Sequence, residues 1–506
     1  MHSPTGSTDA GELPIIVGVG QVVNRSEGPE DAREPLDLMT EVARAAADDA
    51  QVKGLLERAD SVQVVNTVSW AYRDAPGQLA EAIGAQPREK VYTAVGGNAP
   101  QWLVSRTADA IVRGDVRLAV IGGGDAMRSR ARWRETAQQR WRRWAPPQQM
   151  LGDTRAGVNE IEVKHGAHIP ARIYPLFETA IRAQRGRSIA EHQRHLGELC
   201  ARLSQVAADN PHAWFPQART VEEIITVTPE NRMICFPYPK FMNAIMEVDQ
   251  AAAVIMTSVT AAQELGIPRD RWVYLWGCAD AVDIWYFTER PNLHSSPALA
   301  LAERRALEMA GLTVDGIDWF DLYSCFPCAV ELACDALGIA EDDPRPLTVT
   351  GGLPYFGGPG NNYSMHAIGC MVERLRREPQ RKGLVSALGW YVTKHSVGIY
   401  SGAPPEHAWR RCDSPEDQTE LDSAPHPNLV EAEGRGTVEG YSVGFDRSGE
   451  PEAAIVVGRL EEGSRFIANT APDRDLLRWM TEEEMVGREA TLRQDAEKGK
   501  GLVTIE

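Results

Sequence analysis

The same order of buried strands and amphipathic helices occurs twice in this chain, and the two copies start about 250 residues apart. Short runs that are mostly apolar are typical of strands buried on both faces of a sheet. Six such runs are found, three in each copy: 14–20, 61–66 and 118–121, then 272–276, 319–323 and 384–388. Helical patterns separate them. The repeat therefore predicts two similar α/β halves, each with a sheet covered by helices.

The remaining segments differ from this unit in composition. Residues 127–246 are rich in Arg, Trp and Pro, residues 403–427 are polar and rich in proline, and residues 428–470 alternate as antiparallel hairpins do. A turn at 446–449 separates two of these strands, a small OB-type β-barrel fits them, and residues 473 to about 493 are expected to be helical. The expected divisions are a disordered tail (1–13), a first half (14–271) with an inserted segment (127–246), a second half (272–402), a linker (403–427) and an additional C-terminal β-rich domain (428–506).

The composition narrows the classes of partner. A formal net charge of -18 argues against a nucleic-acid partner. No apolar run approaches the roughly 18 residues of a membrane span, and the polar N-terminus lacks a secretory pattern. The eight cysteines are scattered, and the pair Cys325 and Cys328 has no second pair to complete a zinc site. We expect reduced thiols, no metal site and a cytoplasmic protein.

Four short stretches resemble the motifs of the thiolase superfamily, and they occur in the family's order. They are Tyr92-Thr-Ala-Val-Gly-Gly-Asn-Ala-Pro-Gln101, Asp321-Leu-Tyr-Ser-Cys-Phe326, Gly351-Gly-Leu-Pro-Tyr-Phe-Gly-Gly-Pro-Gly360 and Ser386-Ala-Leu-Gly-Trp-Tyr-Val-Thr-Lys-His395. The resemblance covers about residues 14–402, and the lipid-transfer-protein-linked branch is similar. It implies duplicated βαβαβαββ halves with a helical loop insertion. It also implies a coenzyme A thioester as substrate or ligand, with no other cofactor.

The chain departs from the family at each of these motifs. Where the family has a nucleophilic cysteine, this chain has Asn98 or Ala99, and where the family has Gly-His-Pro it has Gly358 in place of the histidine. The cysteine of the family's Cys-x-Gly is replaced at about Gly389, and the Asn- or His-headed tetrapeptide begins with Tyr323. These mismatches argue against Claisen chemistry through a cysteinyl intermediate.

Other side chains remain as candidate catalytic groups. Some thiolase-fold aldolases that act on steroid side-chain acyl-CoA thioesters resemble this chain at Tyr323, which could act as a base if neighbours lowered its pKa. Tyr391 is a possible second tyrosine, and either His366 or His395 could replace the missing acid/base group. For each of these residues, a purely structural role is the alternative. Cys325 could be a displaced nucleophile, although no base is adjacent to it in sequence.

Two groups of residues could bind the ligand without taking part in chemistry. Asn98 and Asn361 are candidates for an oxyanion site, or alternatively for turns and helix caps. Arg128, Arg130 and Arg132 begin an arginine run in the region where thiolases contact the phosphates of coenzyme A. The alternative for this run is a solvated helical face.

Three functions remain open on this basis. The chain could act on acyl-CoA as acetyl-CoA acetyltransferases do, it could be a carbon–carbon lyase that cleaves 3-hydroxyacyl-CoA by a retro-aldol reaction, or it could bind acyl-CoA or lipid without catalysis. Whether the chain is an enzyme is therefore undecided. The aldolases that it resembles work with an OB-fold partner, so the C-terminal domain could replace or bind such a partner, and a homodimer is equally possible.

Overall fold

The structure, a computed structural model, describes residues 10–431, 433–495 and 499–506. Of the expected tail, residues 1–9 lie outside the described residues, whereas Ala10–Glu12 form a 3-10 turn and Leu13 is buried. None of the helices in the described ranges is both long and apolar enough to span a bilayer.

The helices and strands follow one another in the order that the repeat predicts. The first half begins with β1 (Pro14–Val23), α1 (Pro35–Asp49), β2 (Ser61–Val64), α2 (Ala75–Ile83), β3 (Glu89–Tyr92), α3 (Ala99–Val112) and β4 (Leu118–Ala126). An insertion follows, with α4 (Met127–Arg132), α5 (Arg134–Arg140), α6 (Glu160–Lys164), α7 (Pro170–Gln184), α8 (Ile189–Ala208), α9 (Val221–Ile225), β5 (Met233–Phe236) and β6 (Tyr238–Pro239). The first half then ends with β7 (Asp249–Ser258) and α10 (Val259–Leu265).

The second half and the C-terminal region complete the chain. The second half comprises β8 (Val273–Val282), α11 (Pro297–Ala310), β9 (Trp319–Asp321), α12 (Pro327–Leu337), α13 (Tyr363–Arg377), β10 (Lys382–Gly389) and β11 (Lys394–Ser401). The rest comprises α14 (Pro415–Asp422), β12 (Gly434–Phe445), β13 (Pro451–Leu460), β14 (Arg465–Asn469), α15 (Arg474–Glu482), β15 (Glu489–Asp495) and β16 (Lys500–Ile505).

The two halves form one nine-stranded sheet in the order β3-β2-β4-β7-β1-β8-β11-β10-β9. They meet where β1 pairs with β8 through only two residue pairs, Ile15 with Tyr274 and Ile16 with Val273. Outward from this junction, β1-β7-β4-β2 and β8-β11-β10-β9 have the same sequence of pairings: antiparallel, antiparallel, then parallel. The duplicated thiolase-type halves are therefore confirmed.

Glycines allow the outer helices to pack closely on this sheet in both halves. A Cβ atom at Gly20 of β1 would overlap the carbonyl oxygen of Val42 in α1, and one at Gly277 of β8 would overlap that of Ala306 in α11. On the other face, α3 and α13 pack against each other and against strands of both halves. Both helices are buried over most of their length.

The C-terminal strands form a closed five-stranded barrel, β12-β13-β14-β16-β15, and β5 and β6 of the insertion extend its sheet beyond β12. This confirms the expected OB-type barrel, including the turn in which Gly449 (φ +87°) donates to the carbonyl of Asp446. The helix expected from 473 to about 493 is wrong in its extent. Only Arg474–Glu482 is helical, and β15 and β16 then close the barrel.

Buried arginines fix the barrel to the body. Arg182 of α7 donates to the hydroxyl of Tyr441 at 3.0 Å and pairs with Glu484, and Arg465 of β14 donates to the carbonyl of Thr288 at 3.3 Å. Because a buried guanidinium is tolerated only when its donors are satisfied, these contacts define one orientation of the barrel. The segment 403–427, which we expected to be a linker, contains α14, and α14 is held against α11 by an ion pair between Asp417 and Arg305.

Candidate functional site

Three of the four thiolase-like stretches converge at the N-terminus of α3. A Cβ atom at Gly96 would lie 2.6 Å from Asn98 Oδ1 and 2.7 Å from Lys394 Nζ. A Cβ atom at Gly97 would overlap the hydroxyl of Tyr323 and lie 2.5 Å from the carbonyl oxygen of Leu388. Only glycines fit at these two positions without displacement of their neighbours. The first, second and fourth stretches therefore meet within the width of one side chain.

The third stretch supports this site from behind, through the residue that follows it. Asn361 Oδ1 accepts a hydrogen bond from the amide of Gly96 at 3.0 Å, and its Nδ2 donates to the carbonyl of Asn66 at 2.9 Å. Each polar atom of Asn361 thus makes one hydrogen bond to the backbone. The side chain holds the loop before α3 in position, and its contact with a ligand remains a prediction.

A cavity of about 480 Å³, here called the α3 cavity, opens beside this N-terminus. Its walls include Trp102 of α3, Trp285 after β8, and Asn98, Lys394 and His395. Of the residues singled out from the sequence, Asn98 and His395 line it. Tyr323, Tyr391, His366 and Asn361 do not.

Lys394 was missed by the sequence reasoning, which considered the adjacent histidine instead. Its Nζ donates to the carbonyl of Val95 at 2.5 Å, and the residue is 9% exposed. Burial lowers the pKa of Lys394 from 10.5 to about 8, and only Asp153 acts in the opposite direction. The available signal was a lysine at the start of a strand whose other residues, His395 to Ser401, are all of types that can be buried.

Asn98 contributes an unused acceptor. Its Nδ2 donates to Ser396 Oγ at 3.3 Å, whereas its Oδ1 is buried without a hydrogen-bond partner among the described residues. Because buried amide oxygens are normally bonded, Asn98 keeps one unused hydrogen-bond acceptor at the N-terminus of α3. The prediction that Asn98 contacts a ligand remains a prediction.

Neither candidate tyrosine is prepared to act as a base in this structure. Burial, with a smaller contribution from Cys325, raises the pKa of Tyr323, which is opposite to the direction that a base needs. Its ring packs edge-on against Tyr363, with ring centroids 5.6 Å apart. Tyr391 donates its hydroxyl proton to the carbonyl of His168 at 2.8 Å, and burial raises its pKa to about 12.

Both candidate histidines are buried and neutral. Burial lowers the pKa of His366 to about 3, and its Nδ1 lies 2.8 Å from Gln21 Oε1 on β1. Burial likewise lowers the pKa of His395 to about 3, and its Nε2 lies 3.2 Å from Ser296 Oγ. Because the Nδ1 atom of His395 is buried without a described partner, this residue keeps one free ring nitrogen beside the α3 cavity.

None of the eight cysteines, all of which lie in described ranges, is prepared as a thiolate. All are free, and burial raises the pKa of each one. For Cys325 the pKa rises to about 12, and Cys328 donates its thiol proton to the carbonyl of Tyr174 at 3.6 Å. Nucleophilic cysteines have the opposite shift.

The arginine run is divided by the fold. The guanidinium of Arg128 stacks over Trp214, 5.5 Å from the ring centroid, and that of Arg132 stacks over Trp133 at 5.2 Å. Arg130 instead lines a second cavity of about 440 Å³, here called the arginine cavity. Its walls are Trp70, Arg130, Arg134, Ala137, Gln138, Arg142, Arg143 and Trp144.

Three arginines of this cavity have no carboxylate partner. Arg142 pairs with Glu34 and Asp37, but no ion pair of Arg130, Arg134 or Arg143 is found in the described part of the chain. Unpaired guanidinium groups around one cavity are suited to phosphate oxygens.

A separate cluster could hold a metal ion. Glu178, His192 and Glu331 are buried, and one ligand atom from each lies within 4.8 Å of the others; His195, Glu331 and Glu341 form a second such group. Here His192 Nε2 lies 2.6 Å from Glu178 Oε1, and burial raises the pKa of both Glu178 and Glu331. A proton shared between the two carboxyl groups therefore explains their proximity without a metal. The cluster does not line the α3 cavity.

Comparison with known proteins identifies the family of this chain. A crystal structure of a monomeric SCP2-thiolase-like protein type 1 from Mycobacterium smegmatis is 36% identical, with a TM-score of 0.84, over 98% of this chain and 99% of that chain. The chain belongs to the SCP2-thiolase-like protein type 1 family. A family of domains described as the thiolase-like protein type 1 additional C-terminal domain also matches residues 417–497, which include four of the five barrel strands in whole or part and α15.

More distant relatives of this SCP2-thiolase-like protein share its fold. An acetyl-CoA acetyltransferase from Syntrophomonas wolfei is 17% identical (TM-score 0.57, 77% of this chain and 99% of that chain), and the Ltp2-ChsH2(DUF35) aldolase is 19% identical (TM-score 0.60, 78% and 98%). An acetyl-CoA acetyltransferase from Methanothermobacter thermautotrophicus (strain Delta H) is 28% identical over 221 residues, 40% of this chain. That match spans 55% of the curated relative's length.

Proposed function

We propose that this chain binds acyl-CoA thioesters, with the acyl end at the N-terminus of α3, and does not form a cysteinyl intermediate. The observation that carries the proposal is the chemistry at that N-terminus. Gly96, Gly97 and Asn98 precede the helix, and burial raises the pKa of every cysteine in the chain. A helix N-terminus still favours a developing negative charge on a thioester oxygen, whether or not a thiol is present.

The arginine cavity is suited to the phosphates of coenzyme A. Arg130, Arg134 and Arg143 supply unpaired guanidinium groups, and the side chain of Trp144 is available for stacking because the residue is 56% exposed. The carbonyl of Asn66 contacts Asn361 behind α3, and Trp70, four residues further along the same loop, lines the arginine cavity.

Binding of coenzyme A is the first test. We expect isothermal titration to detect acetyl-CoA binding by the full chain, and the double change Arg134→Ala and Arg143→Ala to weaken it at least tenfold, about 1.4 kcal/mol. Arg113→Ala is the matched control, because Arg113 lies at the other end of α3 and pairs with Asp115. Unchanged affinity in the double variant would remove the arginine cavity from the proposal.

A turnover assay tests the chemical half. Mass spectrometry would follow matched panels of 3-oxoacyl-CoA and 3-hydroxyacyl-CoA, with and without free coenzyme A. We expect no thiolysis of 3-oxoacyl-CoA, because that reaction consumes coenzyme A through an acyl-cysteine. An acyl adduct on any cysteine, or thiolysis that depends on coenzyme A, would contradict the proposal.

A retro-aldol lyase is the second candidate, and the hydroxyl of Tyr323 favours it. That hydroxyl has no hydrogen-bond partner among the described residues and lies against Gly97. In such a reaction the β-hydroxyl of a 3-hydroxyacyl-CoA loses its proton, the C2–C3 bond breaks, and the electron pair forms a thioester enolate that is then protonated. A neutral phenol can donate a hydrogen bond to that enolate oxygen.

The same assay separates this candidate from simple binding. A lyase would release an aldehyde or ketone and a shortened thioester without free coenzyme A, and Tyr323→Phe would abolish most of that activity. Tyr391→Phe is the control, since the hydroxyl of Tyr391 is already bonded to the carbonyl of His168. Absence of any product leaves acyl-CoA binding as the function.

The proposal also includes a role for the C-terminal barrel and a cellular compartment for the chain. We infer that the barrel takes the place of the separate OB-fold partner of related aldolases, because β5 and β6 of the body already extend its sheet. A further protein partner or a homodimer is then not required. The eight free cysteines are consistent with a reducing compartment such as the cytoplasm, where coenzyme A thioesters occur.

A further inference from the structure

The ε-amine of Lys394 is a buried nucleophile that the proposed function does not use. It lines the α3 cavity, and within the described residues its one hydrogen bond is to a neutral carbonyl, that of Val95. No carboxylate in the described ranges lies within ion-pair distance of it. A buried ammonium without a counter-ion is unstable, so the surroundings favour the neutral amine, which has a free electron pair.

The neighbouring charges also disfavour the ammonium form. The amine lies beside the N-terminus of α3, where the helix dipole is positive. The nearest compensating carboxylate, Asp153, is engaged by its own partner Arg155, whose Nε lies 2.8 Å away. The pKa of Lys394, lowered to about 8 by burial, is consistent with this geometry. Where a thiolase-fold enzyme would stabilise an anion, this chain has an activated amine.

The turn that precedes Lys394 is strained. Trp390 and Val392 both have φ of +57°, and this is a rare conformation for a β-branched residue such as Val392. Buried Arg290 holds the turn by donating to the carbonyl of Tyr391 at 2.8 Å and to Thr393 Oγ1 at 2.9 Å. Strain that the surroundings maintain in this way is concentrated at functional positions.

We propose that Lys394 forms a covalent imine with a ketone or aldehyde ligand that occupies the α3 cavity. The amine's electron pair attacks the carbonyl carbon, and the carbonyl π pair moves to oxygen, which takes a proton. The resulting carbinolamine loses water to give the imine, so that amine and carbonyl compound yield imine plus one water.

The walls of the cavity indicate the class of ligand. Trp102, Leu151, Val282 and Trp285 provide apolar and aromatic surface, and about 480 Å³ is within the range of small-molecule sites. We therefore expect a carbonyl compound with an apolar body. It need not carry coenzyme A, so this inference does not depend on acyl-CoA binding.

Reductive trapping on the intact chain tests the proposal. The wild-type protein would be incubated at pH 7.5 with 3-phenylpropanal and sodium cyanoborohydride, which reduces an imine to a stable secondary amine, and the product mapped by peptide mass spectrometry. The chain has only eight lysines, so each site is assignable. We expect the adduct at Lys394 to exceed that at any other lysine at least tenfold, and to saturate with the concentration of 3-phenylpropanal.

The controls separate a cavity site from general amine reactivity. The N-terminal α-amino group, with an ordinary pKa near 8, is the internal reference for an amine of similar basicity. Lys394→Arg should abolish the saturable adduct, and Lys382→Arg on neighbouring β10 should leave it unchanged. Labelling of Lys394 that is no greater than that of the other lysines, or that rises without saturation as the α-amino group does, would overturn the proposal. The wild-type map decides this even if a variant fails to fold.

Discussion

The two buried helices α3 and α13 occupy equivalent places in the two halves, yet their N-termini differ. At α13, Asn362 donates to the carbonyl of Gly123 at 2.7 Å, the hydroxyl of Tyr363 donates to Asp321, and Ser364 donates to the carbonyl of Gly97. At α3 the three equivalent positions hold Asn98, Ala99 and Pro100. Asn98 and Asn362 each keep an Oδ1 without a partner among the described residues, but Ala99 and Pro100 have no hydroxyl to match those of Tyr363 and Ser364. Duplication thus supplies two similar scaffolds, and the candidate site lies at the helix N-terminus that has fewer side-chain hydrogen bonds.

The stability of the protein should depend more on side chains at the N-terminus of α13 than on those at the N-terminus of α3. Asp321 accepts hydrogen bonds from the amides of Val349 and Thr350 and from the hydroxyls of Thr348 and Tyr363. We expect Asp321→Ala to lower the free energy of unfolding by at least about 3 kcal/mol, because it leaves several buried donors without an acceptor. Urea denaturation measures this, with exposed Asp475→Ala as the control. A loss below about 1 kcal/mol would mean that the α13 end is not the tighter one.

The N-terminus of α3 should tolerate removal of a side chain but not addition of one. A methyl group at Gly97 would overlap the Tyr323 hydroxyl and approach the carbonyl of Leu388. We expect Gly97→Ala to lower the free energy of unfolding by about 2 kcal/mol. Adding Tyr323→Phe should restore part of this, with a coupling energy of at least about 0.5 kcal/mol in a double-mutant cycle. Additive effects would contradict the placement of the hydroxyl.

The amine of Lys394 should make the free energy of unfolding depend on pH. With a pKa of about 8 in the folded chain and a usual value of 10.5, Lys394 binds fewer protons folded than unfolded between these two pH values. The free-energy cost of burying the charged amine is therefore fully present below pH 8, and it decreases as the pH rises toward 10.5. The free energy of unfolding of the wild type, relative to Lys394→Met, should rise by up to about 1 kcal/mol per pH unit in this window. Denaturant unfolding at pH 7.5, 9 and 10 measures it, and a flat difference would show that Lys394 is charged when folded.

The smallest effect is expected at Asn98. It makes one long hydrogen bond, to Ser396, so Asn98→Ala should change the free energy of unfolding by less than about 1 kcal/mol. Asn361→Ala, which removes bonds to Gly96 and Asn66, should cost about 2 kcal/mol. Thermal unfolding of the two variants, measured side by side, compares their losses of stability. Equal losses would show that Asn361 contributes no more to stability than Asn98 does.

Much of the fold could be predicted because its signals are local. Mostly apolar strands and the repeat of one unit predict the two half-sheets. The end of the barrel was missed because β15 and β16 are short, charged on their outer face and partly paired with each other: Ala490 and Leu492 alternate with Glu489 and Arg493. Such alternation over few residues resembles the end of an amphipathic helix, and only the closed barrel distinguishes them.

The candidate site was harder to predict than the fold. The four stretches lie far apart in sequence, so motif matching could identify the place but not its contents. Asn98 and His395 were singled out and do line the α3 cavity, whereas Tyr391 and His366 are engaged elsewhere. Lys394 was passed over because the effect of burial on an amine depends on its surroundings in three dimensions, which a sequence pattern does not contain.

The strand β5 has a consequence for how the chain is made. Phe236 of β5 pairs with Val443 of β12, so this strand of the insertion finds its partner in the barrel only after some two hundred further residues have been synthesised. Until then, a nascent chain on the ribosome carries an unpaired edge beside the buried face of α7, and such edges promote association between chains. The pairing of β5 with β12 can therefore form only late in synthesis. We expect a chain that ends before residue 434 to be retained by chaperones or to aggregate, and not to accumulate as a smaller thiolase-like protein.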